Sequence, residues 1–67
     1  MLRLNETKTL VAMARIGFNT VSLSAKSGVS RQTISYALAG KRIRTDVVAK
    51  LAVALGVDVA DIIEKED

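Results

Sequence analysis

Apolar residues recur every three or four positions along most of the chain and never alternate over a useful length, so the pattern predicts helices and no sheet. Leu10, Met13, Ala14 and Ile16 define a first helix over about 6–16, with Asn5 as its cap and Gly17 where it should end. Val21, Leu23 and Ala25 lie between a second cap, Asn19, and Gly28, which predicts a two-turn helix over 20–26. Ser30 caps a third helix over 31–39, in which Ile34 and Leu38 face inward and Gly40 ends the run. Thr45 caps a fourth over 46–55, whose apolar stripe of Val47, Val48, Leu51, Ala52 and Leu55 stops at Gly56. A last helix over 59–64 opens at Asp58. Asp58 and Asp61 have the spacing of a capping box, and Ile62 and Ile63 supply the buried face. Val57-Asp58-Val59 alternates but is too short for a strand.

The expectation is therefore an all-α fold, a compact five-helix domain spanning 1–67 without linker, repeat or low-complexity stretch. Leu10, Met13, Leu23, Val29, Ile34, Leu38, Val48, Leu51, Leu55, Ile62 and Ile63 form its expected core. The tail Glu64-Lys65-Glu66-Asp67 is expected to fray. Met1 favours a natural amino terminus, although a domain cut from a longer regulator would look the same.

Composition narrows the chemistry. The 67 residues include no His, Cys, Pro or Trp, so ordinary zinc sites, His-based nucleophiles and disulfides are excluded, and 49% hydrophobic content must supply one well-packed core. No Gly-rich phosphate loop or paired-carboxylate cleft is apparent, so neither catalysis nor a cofactor is expected. No apolar stretch approaches the roughly 20 residues of a membrane span, and the amino terminus lacks a signal peptide's apolar block. A soluble, cytoplasmic protein is expected.

The net charge of +3 is unevenly spread: residues 1–45 carry eight basic side chains and one acidic, residues 46–67 two basic and six acidic. Within the basic part, the outer face of the third helix shows Arg31, Gln32, Ser35 and Tyr36 with no acid among them, and Lys41, Arg42 and Arg44 follow it. Two short helices joined by a glycine turn, the second with an outward polar face, make the helix-turn-helix arrangement that sets its second helix in the DNA major groove. Here it spans Thr20 to Ala39.

Gly17-Phe18-Asn19 is followed by Leu23-Ser24-Ala25-Lys26-Ser27-Gly28-Val29-Ser30-Arg31-Gln32-Thr33-Ile34-Ser35, then Gly40-Lys41-Arg42, then Leu51-Ala52-Val53-Ala54-Leu55-Gly56-Val57. With these motifs at these separations the chain resembles the lambda-repressor-like helix-turn-helix family of phage repressors, Cro proteins and related bacterial regulators, over about residues 6–63. Two departures stand out. Thr20, Val21 and Ser22 occupy the first turn of helix 2, where many members carry Gln and Glu. Leu38 and Met13 stand where the family often has an ion pair, so an apolar contact is expected there.

Roles follow from chemistry and from the resemblance. Arg31 suits a bidentate contact to guanine, or a phosphate. The resemblance implies that Gln32 points into the groove, toward adenine or as a bridge between base and backbone. Ser35 can reach either strand or a bridging water. Tyr36 can pack its ring on a thymine methyl and set its hydroxyl on a phosphate, or form a half-buried aromatic edge. Thr20 and Ser30, at helix starts, offer anion sites, and Thr33 flanks the helix toward phosphate or packs. Lys41, Arg42 and Arg44 are expected phosphate clamps. Lys26 and Arg15 read as surface charges, while Lys8 and Arg3 fit either role. Val57 and Val59 are candidate dimer contacts, in solution or only on DNA.

The expected function is sequence-specific binding of a double-stranded DNA operator, near-palindromic and bound by a homodimer, in a transcriptional regulator of phage-repressor or Cro type. No membrane partner or small-molecule ligand is expected. The alternative is a protein-interaction module, an antitoxin or adaptor built on the same fold.

Overall fold

A computed structural model describes residues 1–64. The chain runs β1 (Leu2–Arg3), α1 (Glu6–Arg15), α2 (Thr20–Ser27), α3 (Arg31–Leu38), β2 (Arg42–Ile43), α4 (Thr45–Leu55) and a 3-10 turn at Val59–Asp61. Short polar side chains start three of the four helices, as their spacing predicts. Asn5 Oδ1 accepts from the Lys8 amide at 3.0 Å, Asn19 Oδ1 from the Ser22 amide at 2.9 Å, and Ser30 Oγ from the Thr33 amide at 3.2 Å. At α2 the Asn19 amide also donates to Ser22 Oγ, which closes a reciprocal capping box.

The fold is mostly helical, compatible with the expected all-α domain, but the expectation of no sheet is corrected. β1 and β2 pair antiparallel, Leu2 opposite Ile43 and Arg3 opposite Arg42, and Leu4 bridges to Ile63. The basic run 41–44, expected as a plain connector, thus contains a strand. It alternates an exposed Arg42 with a buried Ile43, a stretch too short to show a period. The fifth helix is also corrected: Val59–Asp61 is a single 3-10 turn, although the Asp58–Asp61 capping box is present as expected. Helix growth stops there because the following backbone is used elsewhere. The Ile62 carbonyl accepts from the Asn5 amide at 2.8 Å, and the Glu64 amide donates to the Arg3 carbonyl at 2.7 Å. Of the tail expected to fray, residues 65–67 lie outside the described residues.

Thr45 is not the cap of α4 but its first residue. Arg44 takes the cap position, with extended backbone continuing β2 and no side-chain capping bond. Leu10, expected in the core, is 46% exposed, and the buried face of α1 is instead Thr9, Ala12 and Met13. The face is rotated by about one residue, and the Thr9 hydroxyl is satisfied inside by the carbonyls of Asn5 at 2.8 Å and Ile62 at 3.3 Å.

Leu23, Ile34, Val48, Leu51 and Ile62 are wholly inaccessible and come from α2, α3, α4 and the carboxyl-terminal segment. Met13 is buried in the same cluster, and Leu38 and Ile63 are half-buried against it. With α2 packed on both α3 and α4, the α2–α3 pair is held from beneath and its outer faces are left to solvent. No helix among the described residues is long and apolar enough to cross a membrane.

Candidate nucleic-acid interface

The angle between α2 and α3 is set by three consecutive residues. Ser27 Oγ donates to the Leu23 carbonyl at 2.6 Å and accepts from the Val29 amide at 3.1 Å, so one hydroxyl ties the end of α2 to the turn. Gly28 between them has φ of 75°, the left-handed conformation that glycine adopts without strain. Val29 then drops into the core, and Ser30 restarts the helix.

The outer faces of the two helices enclose an open groove of about 680 Å³, lined by Thr20, Val21, Arg31, Gln32, Ser35 and Tyr36. The four residues expected to reach bases therefore stand together. All four are exposed, and Thr20 is half-buried beside them. Guanidinium, amide, hydroxyl and phenol groups supply donors and acceptors, and no carboxylate lines the groove. An anionic duplex edge meets no repulsion from its walls.

Val21 went unrecognised in the sequence. It is 56% exposed, and its signal is positional: two residues before Leu23 on a helix puts it about 200° around the axis from that core residue. An apolar residue near an apolar stripe reads as core unless that angle is counted.

The expected phosphate-binding residues are scattered. Ser30 Oγ donates to Thr33 Oγ1 at 2.9 Å while accepting from the Thr33 amide, so both hydroxyls take part in the helix start and neither lines the groove. Lys41 is exposed after α3. Arg42 Nη1 donates to the Met1 carbonyl at 3.4 Å. Arg44 forks onto Asp46, with Nε to Oδ1 at 3.1 Å and Nη2 to Oδ2 at 3.0 Å. Slight desolvation pushes the Asp46 carboxyl up, but the hydrogen bond and charge of Arg44 outweigh it, and its pKa lies below the usual carboxylate value. Arg44 is thus engaged in an exposed ion pair within its own chain.

Val57 and Val59, the expected dimer contacts, are half-buried against the core, which reduces the apolar surface they can offer a second copy. Val57 also borders a separate groove of about 400 Å³, shared with Lys8, Val11 and Arg15 of α1 and with Asp61. Lys26 lies on a further surface with Lys50 and the exposed Val53.

The family model for the Cro/C1-type HTH DNA-binding domain matches residues 10–67. The chain belongs to this family. No curated protein and no solved structure matches it. In this Cro/C1-type domain α2 and α3 are the helix-turn-helix pair, and double-stranded DNA is the partner that such a domain binds. The match begins inside α1, so β1 and Leu4 lie outside it, although both are built into the packing around the carboxyl-terminal segment.

Proposed function

We propose that this domain binds an operator duplex sequence-specifically and regulates transcription in the cytoplasm, in the manner of a phage repressor or Cro protein. The observation that carries the reading is the groove itself. Arg31, Gln32, Ser35 and Tyr36 present different hydrogen-bonding groups on one exposed face of α3, with no acid in its walls. Such variety suits discrimination among base edges better than uniform attraction to phosphate.

In this reading α3 enters the major groove. Arg31 takes guanine O6 and N7, Gln32 takes adenine or bridges base and backbone, and Ser35 and Tyr36 reach the bases one turn further on. Thr20 meets a phosphate from the start of α2, Lys41, Arg42 and Arg44 clamp the flanking backbone, and Ser30 and Thr33 add to this only insofar as their capping bonds yield. The whole chain acts as one domain. Two copies bind a near-palindromic site, with half-sites about one helical turn apart. Val57 and Val59 then contribute their remaining exposed edges to the dimer.

Selection of bound sequences from a random duplex pool, followed by titration at several salt concentrations, tests the reading. The expected result is an enriched near-palindrome and a linear fall of log affinity with log salt. Arg31→Ala and Gln32→Ala should each cost about 1–3 kcal/mol and relax preference at one base position, whereas Lys41→Ala should weaken all sequences alike and flatten the salt slope. Absence of enrichment, or identical behaviour of the two kinds of variant, would overturn the assignment and turn attention to a protein partner.

A further inference from the structure

We propose that Val21 is a specificity-determining residue of this interface and reads the C5-methyl group of a thymine. The inference rests on the operator-binding reading above and extends it to a residue outside the polar face of α3. Isolated exposed valines are ordinary, so exposure of 56% by itself decides nothing. Placement does. Val21 lines the same groove as Arg31, Gln32, Ser35 and Tyr36, although it stands on the other helix of the pair.

A duplex seated in that groove must cover part of the Val21 side chain. Hydrogen-bonding base edges laid against an isopropyl group lose water and gain no partner, which is unfavourable. The major groove displays one apolar group, the thymine methyl, and only there does covering Val21 remove apolar surface from water on both sides. Tyr36, 54% exposed in the same groove, has a hydroxyl with which to meet other groups, and Val21 has nothing else to offer.

Val21 is also held in advance. It is the second residue of α2, inside the capping box in which Asn19 accepts from the Ser22 amide and Ser22 Oγ accepts from the Asn19 amide. Its β-branch leaves one strongly preferred rotamer in a helix. Contact with a methyl group then orders little that was free before.

The test starts from the best duplex recovered by selection. Each thymidine is replaced in turn by deoxyuridine, which removes the methyl and keeps every hydrogen-bonding group. Affinities are measured for the unaltered protein, Val21→Ser, Val21→Ile and Val21→Ala, with circular dichroism melts to establish that all four fold. The unaltered protein should bind about four-fold more weakly at one deoxyuridine position, the worth of one buried methyl group. That difference should vanish in Val21→Ser, shrink in Val21→Ala and persist in Val21→Ile. A deoxyuridine penalty unchanged in Val21→Ser, or absent at every position for the unaltered protein, overturns the assignment to Val21 while leaving operator binding intact. A pool that yields no preferred duplex overturns the operator reading, and this inference with it.

Discussion

Thr9 shows how a polar side chain is accommodated on the inner face of a helix. It is fully buried, and its hydroxyl donates to the Asn5 carbonyl at 2.8 Å and lies 3.3 Å from the Ile62 carbonyl. Both carbonyls also accept backbone amides, from Thr9 and Asn5 respectively, so removal of the hydroxyl orphans neither. Thr9→Val, which keeps the shape, should therefore lower stability by only about 1 kcal/mol and the midpoint of thermal unfolding by roughly 4–8 °C. A much larger loss would mean that the hydroxyl holds the carboxyl-terminal segment in place by itself. Asp46 acts at the same scale on binding. Its pKa is lowered, slight desolvation being outweighed by the hydrogen bond and charge of Arg44. Its contribution to stability is full above the ordinary carboxylate pKa and is lost only as pH falls through the lowered folded value. Asp46→Asn should release the Arg44 fork and tighten binding to all duplexes a few-fold, with a steeper salt slope. Arg44→Ala in the same background should abolish the gain.

Among the elements, the α2–α3 turn joins the two helices that line the groove. A Cβ at Gly28 would meet nothing within 4 Å, so any cost of substitution there comes from the backbone at φ of 75° and not from a clash. Gly28→Ala should destabilise by about 1–2 kcal/mol, and Gly28→Asn by less, because Asn visits the left-handed region more readily. Equal losses in denaturant unfolding would show that the turn is held by something besides that conformation. The helices were legible because their signals are local: Asn5, Asn19 and Ser30 act within three residues, and the glycines stop helices in place. The strands were not, because a two-residue strand has no period and Ile43 finds its partner Leu2 far back in the chain. Thr45 has the side chain of a cap, but β2 sits immediately before it and makes Arg44 the extended residue. The same contrast holds at the site. Arg31, Gln32, Ser35 and Tyr36 share a face of one helix and could be read from spacing, whereas Val21 joins them only through packing of two helices.

At the scale of the molecule, the amino-terminal segment is tied to residues 62–64 on parts of the fold that do not line the groove. Leu4, 3% exposed, bridges to Ile63, and the Arg3 carbonyl takes the Glu64 amide while β1 lies along β2. A domain of this size holds roughly 3–10 kcal/mol of stability in total. Leu4→Ala should remove about 2–5 kcal/mol of it, by lost burial and the cavity left behind. A chain cut to residues 10–67, the extent of the family match, loses Leu4, the Asn5 cap and Thr9 together and should not fold stably. The groove residues all belong to α2 and α3 and none to these segments, so the two properties ought to separate. Thermal unfolding of Leu4→Ala should come well below that of the unaltered protein. At a temperature where the variant is still folded, its preferred sequence and its affinity per folded molecule should be unchanged. A shift in sequence preference would mean instead that the strand pair transmits its position to α3, through Ile43 and the buried cluster it shares with Ile34.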